Sequence, residues 1–132
     1  MGEVDRGLLD TSVLIDLAED GSSLPREIAV SVATLAELHY GVLVAKNDVA
    51  RQRRLQRLGA IEAAFQPLPI DTAVARAFAA VAQAVKIAGR QPRSRIMDLW
   101  IAATALTHRI PLYTRNPEDF EGLGHLIEVR VP

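Results

Sequence analysis

Cysteine is absent from the 132 residues of the chain, which excludes disulfide bonds, thiolate zinc sites and cysteine nucleophiles together. Long hydrophobic runs are missing as well, since no apolar stretch approaches the roughly 20 residues of a membrane span. The first seven residues, MGEVDRG, carry acids and no apolar core, so we expect neither a secretory leader nor a membrane association. These absences favour the cytoplasm as the compartment.

An excess of positive charge is also lacking, because 15 Lys and Arg residues face 16 Asp and Glu residues for a net charge of −1. A protein that coats nucleic acid without selectivity is normally strongly basic, so that class is disfavoured. A nuclease that meets phosphates with metal ions and local arginines stays open. With 49% hydrophobic and 23% charged residues, positions 1–132 are predicted to form a single globular domain.

Short apolar segments alternate with longer amphipathic segments along the chain. Strands are predicted over 7–9, 28–33, 67–70, 112–114 and 126–131. Helices are predicted directly after Asp10, over about 34–44, 48–65 and 71–88, and up to about His108, with a loop at 21–25. This alternation indicates an α/β fold with a central parallel sheet of about four to five strands and helices on both faces. Ligands of such sheets bind outside the carboxyl ends of the strands.

Asp98 lies in the stretch RIMDLWIAATA, Arg95 to Ala105, where apolar residues surround it on every side. A helix that is apolar all round is normally buried, and a buried carboxylate needs a partner. Two explanations stay open at this point. Arg95, one turn earlier, could neutralise Asp98 locally, or Asp98 faces other carboxylates and a metal ion.

Three further acids and one asparagine follow the predicted strands. Asp10 ends the first strand, Glu37 lies near the start of the helix after the second, and Asn116 and Asp119 follow the fourth. Each acid has a structural explanation: Asp10 as a helix N-cap, Glu37 as the partner of Thr34 in a capping box, and Asp119 as the cap of a short turn. Their coincidence at one sheet edge favours a site, because crowded like charges are tolerated mainly when a cation compensates them.

The predicted ligands are oxygen atoms only, which favours Mg²⁺ or Mn²⁺ over zinc. A hard cation beside an open cleft suits the hydrolysis of a phosphodiester. The hydroxyl groups predicted to orient the site belong to Thr11, Ser12 and Thr114. The basic side chains predicted to hold a phosphate backbone are Arg90, Arg93, Arg95 and Arg115. The arginines between Arg51 and Arg57 are predicted to form a solvated helix face, with contact to phosphate as the less favoured alternative.

Four segments, taken in order, resemble the motifs of PIN-domain ribonucleases, and more narrowly of the VapC toxins of bacterial VapBC toxin–antitoxin systems. They are LLDTSVLID around Asp10, VATLAELHYGV around Glu37, RIMDLWIAATA around Asp98 and LYTRNPEDF at 112–120. The resemblance extends from Leu8 to Val131. It implies a PIN-like three-layer α/β/α fold in which Asp10, Glu37 and Asp98 are catalytic carboxylates that bind a metal.

The fourth motif departs from the family pattern, because many members carry an acid where this chain has Asn116. The resemblance implies that Asn116 can ligate through its carbonyl oxygen, and that Asp119 is a further catalytic acid and ligand. One tightly bound Mg²⁺, for which Mn²⁺ can substitute, is the expected cofactor.

The resemblance also implies a biological role. It is that of an endoribonuclease toxin that cleaves structured cellular RNA, tRNA or rRNA, and thereby inhibits translation and growth. The expected partners are a VapB-type antitoxin and a second copy of the chain, as a homodimer within a toxin–antitoxin hetero-oligomer. The alternative is a catalytically weak or inactive PIN-like module that binds RNA or protein, which the asparagine at position 116 keeps open.

Overall fold

A four-stranded parallel sheet lies at the centre of the computed structural model, which describes residues 5–16 and 23–132. The strands are β1 (Arg6–Leu9), β2 (Glu27–Ala29), β3 (Leu112–Tyr113) and β4 (Val129–Arg130). Their order in the sheet is β2-β1-β3-β4, and every neighbouring pair is parallel. The predicted fold class is therefore confirmed. Gly21 and Ser22 of the predicted loop lie outside the described residues.

Helices flank this sheet on both faces. They are α1 (Thr11–Ile15), α2 (Val32–Leu43), α3 (Asp48–Ala64), α4 (Thr72–Ile87) and α5 (Ile96–His108), with 3₁₀ turns at Pro92–Arg95 and Pro117–Phe120. Within the described ranges, no helix is long and apolar enough to cross a membrane.

Two hydrophobic cores form because successive strand residues point to opposite faces of the sheet. Leu8 and Leu112 pack with residues of α4 and α5 in one core. Leu9 and Tyr113, their neighbours in the sequence, pack with residues of α1, α2 and α3 in the other. Burial on both faces is typical of parallel sheets. The two central strands, β1 and β3, thus end side by side, directly before Asp10 and Thr114.

The predicted strand over 28–33 is wrong at its end, because the chain turns into α2 at Val32. Ser31 caps this helix, and its Oγ accepts a hydrogen bond from the backbone N–H of Ala33 at 3.0 Å. Thr34 is a fully buried residue inside the helix rather than its cap. The capping-box interpretation of Glu37 is therefore wrong, and Glu37 lies in the second turn of α2.

The predicted strand over 67–70 is reduced to a single parallel bridge between Ser31 and Leu68. The bridge uses the N–H and the carbonyl oxygen of Leu68, and it cannot extend toward the carboxyl end because its partner segment turns into α2 at Val32. The last predicted strand is also shorter, since only Val129 and Arg130 pair with β3.

Candidate active site

Asp10 follows β1 directly, and its carboxylate connects the start of α1 to the end of β3. Its Oδ1 caps α1 by accepting hydrogen bonds from the backbone N–H groups of Ser12 at 2.9 Å and Val13 at 3.3 Å. The same oxygen also accepts a hydrogen bond from the Ser12 hydroxyl. Its Oδ2 accepts a hydrogen bond from Thr114 Oγ1 at 2.6 Å. Asp10 is therefore the predicted N-cap and, at the same time, a nearly buried carboxylate fixed to the end of β3.

Glu37 reaches the same edge from α2. Its Oε1 accepts a hydrogen bond from Thr11 Oγ1 at 2.6 Å. Thr11 is the first residue of α1 and directly follows Asp10, so the two carboxylates are held by neighbouring residues of one turn. The predicted orienting role of Thr11, Ser12 and Thr114 agrees with these contacts, since each hydroxyl donates to a carboxylate.

The loop after β3 is fastened to this turn through its backbone. The N–H of Arg115 donates to Ser12 Oγ at 3.1 Å, and the N–H of Asn116 donates to Thr114 Oγ1 at 3.0 Å. Thr114 is fully buried, so this hydroxyl acts as donor to Asp10 and acceptor from Asn116 at once. These hydrogen bonds join the loop after β3 to the turn after β1, beside the backbone hydrogen bond from Asp10 N–H to the Tyr113 carbonyl oxygen.

Asp98 lies in the first turn of α5 and is half-buried, facing the same edge. Its pKa is raised to about 6, first by burial and then by the negative charges of Asp119, Glu37 and Asp10. Arg95 opposes this shift, but its effect on the pKa of Asp98 is the smallest of these. Asp98 is therefore the point at which the negative charge of the site is concentrated.

Arg95 pairs with Asp119 rather than with Asp98. Its Nη1 lies 2.6 Å from Asp119 Oδ1, and both side chains are about one-third exposed, at 30% and 34%. This hydrogen bond is also the main reason that the pKa of Arg95 is raised. The local neutralisation of Asp98 by Arg95 is thus not the arrangement that forms, and the cap role considered for Asp119 is replaced by an ion pair.

Asn116 and Asp119, the two candidates for the fourth position, differ in their surroundings. Asp119 is the charge with the largest effect on the pKa of Asp98. Asn116 is exposed, and its side chain makes no capping hydrogen bond to the 3₁₀ turn that follows it. The charge of Asp119 and the exposure of Asn116 therefore favour Asp119 over Asn116 as the fourth candidate ligand.

The remaining predicted arginines near this edge differ in their contacts and exposure. Arg115 Nε lies 3.4 Å from Asp16 Oδ2, and Arg90 Nη1 donates to the carbonyl oxygen of Glu118 at 2.8 Å. Arg93 is exposed on the 3₁₀ turn before α5. Arg90 and Arg115 thus have intramolecular acceptors, while Arg93 faces solvent.

The donor set suits a hard cation in its chemistry, because it consists of carboxylate and hydroxyl oxygens. Across residues 5–16 and 23–132, however, no three Asp, Glu or His side chains lie close enough together to hold a metal ion as they stand. Hydroxyl groups and Arg95 occupy carboxylate oxygens in this arrangement. Binding a cation through three carboxylates requires these side chains to move toward one another.

A cavity of about 470 Å³ opens beside Glu37, between α1, α2 and α3. Thr11 and Glu37 line one side, and Arg53, Arg54 and Arg57 line it from α3. Arg53 is exposed, as predicted for a solvated face, while Arg54 and Arg57 are partly buried and line the cavity. Their spacing of three and four residues, which places them on one side of a helix, is the sequence signal that indicates a shared face. A larger cavity of about 930 Å³ lies at the opposite edge of the sheet and includes none of the acidic groups described above.

Comparison with known proteins gives consistent results. A family model described as the PIN domain matches residues 7–126. Ribonuclease VapC5 of Mycobacterium tuberculosis is 38% identical over 129 residues, which cover 95% of this chain and 93% of the relative. Ribonuclease VapC4 of the same organism is 40% identical over 117 residues, with 86% and 88% covered.

Solved structures agree with this result. VapBC-5 of Mycobacterium tuberculosis, described as a member of the VapBC family of toxin–antitoxin systems, has a TM-score of 0.82 and 38% identity, with 96% and 97% of the two chains covered. FitAcB of Neisseria gonorrhoeae has a TM-score of 0.74 and 28% identity, with 93% and 95% covered.

Proposed function

Since the chain belongs to the PIN-domain family and, within it, to the VapC ribonucleases, we propose that it is a metal-dependent endoribonuclease that acts as the toxin of a toxin–antitoxin pair. The observation that carries the proposal is the raised pKa of Asp98, to which Asp119, Glu37 and Asp10 all contribute. The four carboxylates belong to separate parts of the chain, and the charges of three of them act on Asp98 together. Their accumulated charge calls for a cation in the functional state.

We assign the metal to Asp10, Glu37 and Asp98, with Asp119 as the fourth carboxylate and Asn116 at the periphery. Mg²⁺ is the expected ion and Mn²⁺ its substitute, because all donors are hard oxygens. When bound, such an ion supplies Lewis-acid stabilisation to a phosphate and lowers the pKa of a water molecule. A single ion is the simplest arrangement for three central carboxylates.

The side chains around the carboxylates position them for this chemistry. Thr114 and Ser12 fix both oxygens of Asp10, and Thr11 fixes Glu37. Arg95 holds Asp119 through a charge-assisted hydrogen bond. Because its guanidinium lies at the acidic edge, Arg95 is also available to contact a phosphate oxygen, with exposed Arg93 two residues away on the same 3₁₀ turn.

The proposed substrate is a structured cellular RNA, tRNA or rRNA, cut in a single-stranded loop so that translation and growth stop. A near-neutral chain is compatible with selection by RNA shape rather than by bulk charge. The proposed partners are a VapB-type antitoxin and a second copy of the chain. The similarity to VapBC-5, a toxin–antitoxin system, supports the antitoxin.

The second candidate is a PIN-like module that binds RNA or protein without cutting it. One observation favours it: within the described part of the chain, the acidic side chains do not yet form a group that can hold a metal. The exposed asparagine at position 116 is in line with the same candidate.

Induced expression in a bacterial host tests the proposal. We expect the wild-type chain to arrest growth and the Asp98→Asn variant, expressed to the same level, to leave growth unaffected. Asp48→Asn, a change at a fully exposed carboxylate on α3, is the matched control and should remain toxic. Arrest by both wild type and Asp98→Asn would favour the binding module.

A further inference from the structure

The cavity beside Glu37 carries a positive wall that the proposed carboxylate chemistry does not use. Arg53, Arg54 and Arg57 bring three guanidinium groups to a space whose acidic lining residue is Glu37. The Glu37 carboxylate accepts a hydrogen bond from Thr11, which lines the same side of the cavity, across from the arginines. The cavity therefore combines a fixed carboxylate with an excess of positive charge, next to the concentrated negative charge at Asp98.

The three arginines have different structural roles. Arg54 Nη1 donates to the carbonyl oxygen of Gly41 at 2.6 Å, which fastens α3 to α2. Arg53 is exposed at the cavity rim. Arg57 is partly buried, and its Nε is a buried donor without an acceptor in the described structure.

An unsatisfied buried donor on a cation is costly, and such groups call for a specific explanation. A guanidinium offers several N–H groups in a planar fork that matches the oxygens of a phosphate. An anion in the cavity would lie within the positive field of Arg53, Arg54 and Arg57, and its charge would offset the cost of an Arg57 guanidinium whose Nε is buried without an acceptor. The unpaired donor of Arg57 and the three arginines that line the cavity thus indicate an anionic ligand.

We propose that this cavity is a phosphate subsite, in which Arg57 and Arg53 hold a backbone phosphate of the RNA strand next to the phosphate that is cut. The inference rests on the proposed ribonuclease function and assigns the direction in which the strand leaves the carboxylates, past Glu37 and along α3. Arg57 and Arg53 are positioning residues in this scheme, and Arg54 fixes the wall that carries them.

Binding of a labelled ribo-oligonucleotide of mixed sequence to full-length protein tests the subsite, in the Asp98→Asn background so that the probe is not cut. Arg57→Gln and Arg53→Gln should each raise the Kd by about tenfold at low salt. Each should also make the negative slope of log K against log salt shallower by about 0.7, the value for one phosphate contact to a single strand. Arg57→Lys should keep the slope and recover part of the affinity, because it retains the charge without the fork.

Arg51→Gln is the matched control, since Arg51 lies on the same helix, is about half exposed, and pairs with Asp48 at 3.1 Å. We expect its affinity and salt slope to equal those of the parent. Should Arg57→Gln fail to fold, as judged by its thermal melt, the exposed Arg53 still carries the test. In the active background, the Arg53 and Arg57 variants should raise KM for RNA while kcat is kept.

The outcomes separate this inference from the proposed function. If the wild-type chain cuts no RNA, the ribonuclease proposal fails regardless of the arginines. If it cuts RNA but the Arg53 and Arg57 variants behave like Arg51→Gln, only the subsite is wrong. Unchanged RNA binding with loss of inhibition by a co-expressed antitoxin would assign the cavity to an acidic side chain of that protein and likewise overturn the subsite.

Discussion

Thr11 Oγ1 lies 2.6 Å from Glu37 Oε1 and joins the turn after β1 to the second turn of α2. The residue next to the Asp10 carboxylate thereby fixes the orientation of a second carboxylate that is 26 positions later in the chain. Groups that orient the ligands of a metal commonly affect metal affinity and activity strongly. Thr11 is therefore the clearest position at which the supporting hydrogen bonds of the site can be tested.

Thr11→Val should lower RNA cleavage by about 10- to 100-fold, because Glu37 loses the donor that orients it. The measurement is the initial rate of cleavage at saturating Mg²⁺, together with the melting temperature of the variant. Thr11→Ser keeps the hydroxyl and should retain most of the activity. Equal activity of the valine and wild-type chains would show that the hydrogen bond has no part in the reaction.

Asp98→Asn should stabilise the metal-free protein at neutral pH. The pKa of Asp98 is about 6 in the folded chain and 3.8 in the reference state, so the folded state holds the proton more tightly. The resulting stabilisation is complete below pH 3.8 and is lost as the pH rises through about 6. A shift of about two units corresponds to about 3 kcal/mol for a fully buried group, and partial solvation of Asp98 reduces this to about 1 kcal/mol.

Denaturant unfolding in EDTA at several pH values measures this effect. Relative to Asp98→Asn, the wild-type free energy of unfolding should fall by about 1 kcal/mol between pH 4 and pH 7. Asp48→Asn removes a fully exposed carboxylate and serves as the control. A destabilised Asp98→Asn variant would mean that Asp98 has a structural ion pair after all.

Asp119→Asn should lower RNA cleavage by about tenfold or more, since it removes the charge that acts most strongly on Asp98. Its carbonyl oxygen can still accept from Arg95, so the fold should be kept. Asn116→Ala, at an exposed side chain, should leave the rate nearly unchanged. The reverse order in a paired rate measurement would assign the fourth position to Asn116.

Mg²⁺ should raise the melting temperature of the purified chain. Binding to the folded state alone stabilises it by about 2.7 kcal/mol when the ion is present at 100 times its Kd. Asp98→Asn and Glu37→Gln should weaken this response, while Asp48→Asn should not. Calorimetric scans with Mg²⁺ and with EDTA provide the comparison, and a wild-type melting temperature indifferent to millimolar metal would support the binding module.

The alternation of short apolar and longer amphipathic segments was sufficient to predict the parallel sheet and the helices on its two faces. It failed at Ser31, because an apolar run such as IAVSVA suits a strand and a helix start equally well. The serine hydroxyl, which bonds to the backbone of Ala33, decides between them. It failed again at Leu68, where the partner segment turns into α2 and limits pairing to a single bridge.

The site was predictable to the extent that strand ends meet at one edge. The topology and the motifs predict Asp10, Glu37 and Asp98 at this edge, and the charges of Asp10 and Glu37 do act on the pKa of Asp98. The partner of Arg95 was not predictable, because Asp119 is 24 residues away and a local pattern favours the neighbour at three positions. The cavity wall formed by α3 depends on how that helix packs against α2, which no local pattern encodes.

Cleavage of total cellular RNA by the purified chain, freed of any antitoxin, tests the central claim most directly. The assay compares Mg²⁺, Mn²⁺ and EDTA for the wild type, Asp98→Asn and Asp48→Asn. If the chain is a metal-dependent ribonuclease, we expect a discrete RNA fragment that requires metal, persists in Asp48→Asn and vanishes in Asp98→Asn. Intact RNA from folded wild-type protein under every metal would contradict it, as would a fragment that Asp98→Asn still produces.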